Sequence, residues 1–228
     1  MSTEPIAIVG LLGGQWFGRA AEAALRGADV LLGNARQFEA LAAEIEGERV
    51  QLWGDLGAVV DRAVDLRAAG RRPCILADGD PGYHGMVRFA SGRLGEGGLA
   101  VHPAPSSIAL AWARVGTNWD DAVVASAYAQ TPEEVVATVT RHHKVAVLVS
   151  RHLPPTALGA ALVAAGCGER AVTVCTHLAE PDERIVHTDL AGLAAGTGAR
   201  SAGGTGAATD AETGDAFDHR SVVVIRRR

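Results

Sequence analysis

Residues 76–89 read LADGDPGYHGMVRF: an apolar run breaks into Asp78-Gly79-Asp80-Pro81-Gly82, and a further glycine follows at Gly85. Apolar residues before the break suit a strand, and the pattern from Met86 onward suits a helix. The loop between them carries far more turn chemistry than a strand-to-helix connection needs, since most such loops are short and undemanding. Glycines let a ligand approach the backbone closely, and open α/β sheets bind ligands beyond the carboxyl ends of their strands. This loop is therefore the first candidate for a binding element.

Outward from it, strand-like and helix-like runs alternate. Strands are expected at 5–10, 28–33, 49–53, 72–77 and 98–103. Helices are expected at 18–27, 34–47 (Asn34 as N-cap, Gly47 as C-cap), 57–70, 86–94 and 106–116. Such alternation predicts a parallel sheet covered on both faces, because parallel strands need long crossovers. The same grammar restarts after residue 120. Strands are expected at 121–127, 144–150, 170–178 and 221–225, with helices at 131–143 and 154–168. Thr131 and Glu134 form a capping box at the start of the first of these helices. The chain is thus expected to be α/β with two domains, residues 1–117 and 118–228. Residues 196–215 hold no Leu, Ile, Val, Phe, Tyr or Trp, so they are expected to be a flexible insertion. The three arginines that close the chain read as a solvated tail.

Composition narrows the function. A net charge of -5 excludes a general nucleic-acid binder, which needs a basic surface. No apolar run approaches the length that spans a bilayer, and the N-terminus lacks the pattern of a signal peptide. Cys74, Cys167 and Cys175 form no paired framework and read as small buried hydrophobes in a reduced, cytoplasmic setting. The first glycine-rich run, residues 9–18, fails the G-x-G-x-x-G spacing because Leu12 stands at the second glycine position. Lys144 is the sole lysine, and no Walker pattern surrounds it, so nicotinamide and nucleoside-triphosphate chemistry are disfavoured. His142, His143 and His152 lack metal-ligand spacing, and no metal is expected. The neighbours Asp182 and Glu183 read as a structural turn rather than an acid/base pair. Trp16, Trp112 and Trp119 either pack in the core or stack on a flat ligand.

GDPGYHG (79–85) resembles the GDPxxxG signature of the tetrapyrrole methylases. Three further segments resemble that family in order: PAPSSIALAWARVG (103–116), HLAEPDERI (177–185) and FDHRSVVVI (217–225). The last two are similar to the branch of precorrin-6Y and cobalt-precorrin-7 methyltransferases. This resemblance implies two α/β domains with a cofactor cleft between them and S-adenosyl-L-methionine as the cofactor. It implies methylation of carbon 5 of a corrin precursor, by an enzyme that is usually a homodimer. Carried over by motif, Gly79, Asp80, Pro81, Gly82, Gly85, Ser106 and Ser107 are the expected cofactor residues. Gly10, Gly13, Tyr128 and Gln130 are the expected substrate residues, and no catalytic residue is assigned. Asp80 either accepts hydrogen bonds from the cofactor or braces its loop. Ser106 and Ser107 either cap a helix or touch the cofactor.

Several positions depart from the branch. Gly10-Leu11-Leu12-Gly13-Gly14 replaces a Gly-Ile-Gly-x-Asp-Gly loop, and Tyr128-Ala129-Gln130 replaces His-Gly-Arg. A polycarboxylate substrate needs cations, for which Arg19, Arg36, Arg88 and Arg151 are candidates. A divergent methylase with another substrate, or a silent cofactor-binding member, is the alternative expectation. The chain ends where fused enzymes of this branch continue, so methylation of carbon 15 and decarboxylation are expected of a separate protein.

Overall fold

Both halves of the chain become sheets with helices packed on them. The computed structural model describes residues 4–52, 54–95, 97–200 and 217–227. Tertiary contacts divide the chain after Ser106, giving two compact units.

The first unit contains β1 (Ile6–Leu11), α1 (Arg19–Gly27), β2 (Val30–Gly33), α2 (Ala35–Ala40), β3 (Glu48–Gln51), α3 (Leu56–Ala68), β4 (Pro73–Asp78), α4 (Met86–Leu94) and β5 (Leu99–His102). Its five strands run parallel in the order β3-β2-β4-β1-β5. Alternate residues of β1 serve opposite faces: Ile6 and Ile8 join α3 and α4, whereas Val9 and Leu11 join α1 and α2. From β1 the chain moves toward β2, and from β4 it moves toward β5 on the other side. The topological switch point therefore lies between β1 and β4.

Asn34 caps α2 as expected, in a reciprocal box with Gln37. The helix is much shorter than its sequence pattern, however. It stops at Ala40 because the extended segment beyond delivers Leu41 and Ile45 into the core beneath α1. Tertiary burial overrides local propensity here, and Gly47 sits in a loop with φ +128° rather than at a helix end.

The second unit contains α5 (Ser107–Val115), β6 (Val123–Ser126), α6 (Pro132–Arg141), β7 (Lys144–Leu148), α7 (Pro155–Ala164), β8 (Arg170–Thr176), β9 (Arg184–Thr188), α8 (Leu190–Ala195), β10 (Ala199–Arg200) and β11 (Ser221–Arg227). The strand order is β10-β9-β8-β11-β7-β6, and only β6 and β7 are parallel. This corrects the expectation of a second parallel sheet. The turn at 177–183 is too short for a crossover, so β8 and β9 pair antiparallel. The sequence reading overlooked β9 and α8, because polar Arg184, His187 and Thr188 hide the strand and α8 is only six residues long. The Thr131–Glu134 capping box is formed as read.

The division after Ser106 falls before the expected boundary at residue 117. The reason is packing: Ile108, Ala111 and Trp112 of α5 are buried with Ala146, Cys175, Val222 and Val224 of the second sheet. Of the expected insertion at 196–215, Gly196 ends α8 in the left-handed region and residues 199–200 pair with β9. Residues 201–215 lie outside the described residues. Arg226 and Arg227 belong to β11, where the Arg227 amide donates to the His143 carbonyl at 2.9 Å, so they are no free tail.

Trp112 is fully buried, and its Nε1–H has no hydrogen-bond partner among the described residues. An unpaired buried donor costs about 1–3 kcal/mol, which offsets part of what the ring's packing contributes. Trp112→Phe should therefore lower stability by at most about 1 kcal/mol, whereas Trp112→Ala should cost about 3–5 kcal/mol. Urea unfolding of both variants checks this; equal losses would show that the indole N–H imposes no penalty.

Candidate functional site

The loop at 79–85 is built by backbone contacts across the switch point. The Gly79 amide donates to the Leu11 carbonyl at 2.8 Å, and the Gly79 carbonyl accepts from the Ala104 amide at 3.3 Å. One residue thereby ties the end of β1 to the segment that follows β5. Gly79 has φ +66°, a conformation that few side chains tolerate. Gly10 lies buried directly beneath: a Cβ there would stand 2.0 Å from the Gly79 carbonyl oxygen and 2.7 Å from the Ala104 amide. Gly10 is thus required by the protein's own backbone crossing. Gly13 sits in the exposed turn closed by the Leu12 and Gln15 amides and carbonyls.

Beyond Gly79, Asp80 Oδ1 accepts from the Gly82 amide at 2.8 Å, so one carboxylate oxygen braces the loop. Oδ2 has no partner among the described residues. The Asp80 carbonyl accepts from Tyr83, and the buried Pro81 carbonyl accepts from Val87 at the start of α4. Gly85 precedes α4 and packs against Pro81, while His84 adopts φ +53°. Gly82 is exposed, and a Cβ built there meets only Asp80 Oδ1 at 3.2 Å. A braced loop with an exposed glycine face and an unused carboxylate oxygen suits a small, flat, hydrogen-bonding ligand. Ser106 immediately precedes α5 and Ser107 opens it, both half-buried. Behind the loop, Asp78 accepts from Arg36 at 2.5 Å and from buried Gln37 at 3.2 Å. Arg36, a candidate substrate cation, is therefore engaged by a carboxylate.

In the second unit, the ends of four neighbouring strands carry buried hydroxyls: Ser126, Ser150, Ser221 and Thr176. Ser126 Oγ accepts from the Tyr128 amide at 3.4 Å, and Ser150 Oγ accepts from the Leu153 amide at 3.3 Å. Thr176 and Ser221 bond to each other at 2.8 Å. Each hydroxyl ends its strand without leaving a polar group unpaired. Gln130 turns inward, its Oε1 accepting from the Ser126 amide at 2.8 Å, whereas Tyr128 is 64% exposed. Of these two expected substrate residues, the first braces its loop and the second is presented to solvent.

The turn at 177–183 holds a network that the sequence reading did not foresee. Glu183 accepts from Arg114 through both carboxylate oxygens and from the Ala179 amide at 2.7 Å, joining two of the motif segments. Burial pushes the Glu183 carboxyl up, but Arg114 and that amide outweigh it and hold it below its ordinary value. His177, at φ +51°, is flanked by Asp182 on Nδ1 and Asp218 on Nε2, and Glu180 pairs with Arg220. Only the pairing of Asp182 with Glu183 as a turn was legible beforehand. His177, Glu180 and Asp182 place possible metal-ligand atoms within 4.8 Å of one another, yet each already has a protein partner. His142, His143 and His152 are exposed, with His142 at the C-cap of α6. Burial pushes the Cys74 and Cys175 thiols up to about 12, as befits inert core residues; Cys167 is only half-buried, beside Thr140. Trp112 is core, Trp16 packs at the edge of the core under α1, and Trp119 is 44% exposed.

Burial opposes the charged forms of Asp182 and Asp218, but their bonds to His177, and to the Arg220 amide for Asp218, hold both below the ordinary 3.8. Carboxyls depressed on folding contribute stability above the unfolded value and lose it as pH falls through the folded one. Asp218→Asn should therefore be less stable than the parent at pH 6. The gap should close on acidification below 3.8, as read from thermal melts across pH. A gap independent of pH would mean that Asp218 acts by shape alone.

Comparison with known proteins follows from this geometry. Residues 6–194 match the family described as Tetrapyrrole (Corrin/Porphyrin) Methylases. A precorrin-6Y C(5,15)-methyltransferase [decarboxylating] of Sinorhizobium sp is 31% identical over 158 residues, 69% of this chain and 38% of that protein. A cobalt-precorrin-7 C(5)-methyltransferase of Salmonella typhimurium is 28% identical over 166 residues, 73% of this chain and 80% of that protein. The match thus spans well under half of the decarboxylating relative. Among solved structures, the precorrin-6Y methylase of Archaeoglobus fulgidus superposes with a TM-score of 0.68 at 18% identity, over 100% of both chains. The uroporphyrin-III C-methyltransferase of Thermus thermophilus, complexed with S-adenosylhomocysteine, gives 0.65 at 17% identity over 97% of each. These relatives are methyltransferases, and the chain belongs to the tetrapyrrole methylase family.

Proposed function

We propose that this chain is an S-adenosyl-L-methionine-dependent C-methyltransferase that methylates carbon 5 of a late corrin precursor, precorrin-6Y or cobalt-precorrin-7. The observation that carries the reading is the glycine loop braced at the switch point of the first sheet, in a chain whose sequence relatives act on those substrates. The residues suit the cofactor: Gly79, Gly82 and Gly85 leave backbone accessible, Pro81 stiffens the loop, and Asp80 keeps one oxygen for a ligand donor. Ser106 and Ser107 supply hydroxyls at the head of α5. When bound, the cofactor supplies an electrophilic methyl group on a sulfonium. The protein's own task is positional, since holding two reactants at near-attack geometry supplies much of the rate in such a displacement. A homodimer acting in the cytoplasm completes the proposal. Decarboxylation and methylation of carbon 15 are not assigned to this chain.

A different macrocyclic substrate is the second reading, and Tyr128-Ala129-Gln130 favours it. Gln130 is used as a brace, so this segment offers a neutral phenol where the branch has an arginine. Neutral hydrogen bonds to a carboxylate are roughly half as strong as charge-assisted ones.

Two measurements test the proposal. Calorimetry with S-adenosylhomocysteine should show binding by the wild type and at least about tenfold weaker binding by Gly82→Val, with little change in melting temperature. Gly10→Ala should lose both binding and stability, because its Cβ meets backbone. A folded wild type that binds no S-adenosylhomocysteine would remove the cofactor assignment. Mass spectrometry should then find one added methyl group on cobalt-precorrin-7 or precorrin-6Y. Cofactor binding without methylation of either would replace the carbon-5 assignment by the second reading.

A further inference from the structure

The loops that follow β6 and β7 lie side by side, because those strands are parallel with Ser126 opposite Leu148 and the Ala127 amide donates to the Leu148 carbonyl at 2.9 Å. β11 runs antiparallel to β7 with Val222 opposite Leu148, so the approach to β11, residues 217–220, reaches the same end of the sheet. Three side chains from three segments therefore gather there: Tyr128, Arg151 and His219.

Their hydrogen bonds are unusual for this protein. Arg26, Arg36, Arg71, Arg72, Arg93, Arg114 and Arg220 each pair with a carboxylate. Arg151 instead donates from Nε to His219 Nε2 at 3.4 Å, and that partner brings no negative charge. The Nη1 and Nη2 groups of Arg151 have no partner among the described residues, and the side chain is exposed. Asp218, the neighbouring acid, is already engaged, its oxygens facing the Arg220 amide and His177. The Tyr128 amide is held by Ser126, which ends β6, and its ring is exposed. Desolvation raises the Tyr128 hydroxyl, and the charge of Arg151 acts on it in the opposite sense, which puts the two groups within electrostatic reach. His152 is also exposed beside Arg151, and adds a second imidazole to the same end.

We propose that Arg151, steadied by His219 and accompanied by the Tyr128 hydroxyl, is a carboxylate-binding subsite that recognises an acidic side chain of the macrocyclic substrate. The inference rests on the proposed function for the identity of the macrocycle. The free edge of a guanidinium fork presents two parallel N–H donors that match the two oxygens of a carboxylate. A phenol beside it donates a further bond. The cation that the departure at 128–130 removes is thus supplied from the neighbouring loop.

The test compares wild type, Arg151→Gln, Arg151→Lys and Tyr128→Phe. With cobalt-precorrin-7, Arg151→Gln should raise KM about tenfold or more, so that most of the loss in kcat/KM is carried by KM. Arg151→Lys should recover part of that loss, because it keeps the charge without the fork. Tyr128→Phe should raise KM about two- to fivefold, the scale of one neutral hydrogen bond. Affinity for S-adenosylhomocysteine and the melting temperature should stay near wild type for all three. Added salt should narrow the gap between wild type and Arg151→Gln. A KM for Arg151→Gln within twofold of wild type would overturn the subsite. If wild type methylates no corrin precursor, the substrate assignment fails, and the subsite is judged by binding alone. Uroporphyrin III, an octacarboxylate macrocycle, is then titrated against wild type and Arg151→Gln by tryptophan quenching. Tighter binding by wild type that weakens with salt would support the subsite for another acidic macrocycle, and equal binding would overturn it.

Discussion

The first unit depends on one backbone crossing. Gly10, at the end of β1, passes so close beneath Gly79 and Ala104 that no side-chain atom fits between them. That approach lets a single residue, Gly79, bond to Leu11 on one side and Ala104 on the other. The loop is then fixed at both ends by the sheet itself, and Asp80 needs only its own Gly82 amide to set the curvature between. A ligand at this loop meets backbone whose position was set when the sheet formed. No ordering cost remains to be met at binding, which is the physical content of preorganisation.

The second unit organises its functional end by side chains instead. Its row of strand-ending hydroxyls absorbs the amides that would otherwise be orphaned where the loops turn away. The turn at 177–183 is held by carboxylates: Glu183 on Arg114 and the Ala179 amide, Asp182 and Asp218 on either side of His177. His177 and Ala179 both take positive φ, a strained choice for residues with a Cβ, and these ion pairs hold the backbone there. Several are surface pairs of small individual value. Their effect lies in geometry, since together they fix a loop that has few apolar contacts.

Legibility in the sequence followed that difference. The glycine loop, the parallel first sheet and both capping boxes were readable because they rest on local rules: turn residues, strand period and cap chemistry. What escaped was set at a distance. The early end of α2 depends on where Leu41 and Ile45 are buried, and β9 is recognisable only from its pairing with β8. The assignment of α5 to the second unit depends on the sheet it packs against, which no property of residues 107–115 declares. His177 gave no signal because its partners lie five and forty-one residues away. Gln130 was misleading for the opposite reason: its donors and acceptors suit a ligand, and the local turn consumes them.

The two modes of construction also separate what each half can reveal about function. A site made of backbone and glycine tolerates almost no substitution, so its motif stays recognisable wherever the same cofactor is used. A site made of side chains on loops can change one residue at a time while the hydroxyl row and the ion pairs keep the scaffold intact. Replacing a histidine, a glycine and an arginine by Tyr128, Ala129 and Gln130 left the turn closed, because Gln130 satisfies the Ser126 amide. With that turn secure, a cation need not come from residue 130 itself. Arg151 stands on the next loop of the same parallel pair, and His219 steadies it without cancelling its charge. Electrostatic complementarity to an acidic macrocycle depends on where the charge stands, not on which segment carries it. Motif comparison registers this as loss, whereas the fold permits the same charge to return from a neighbouring strand end.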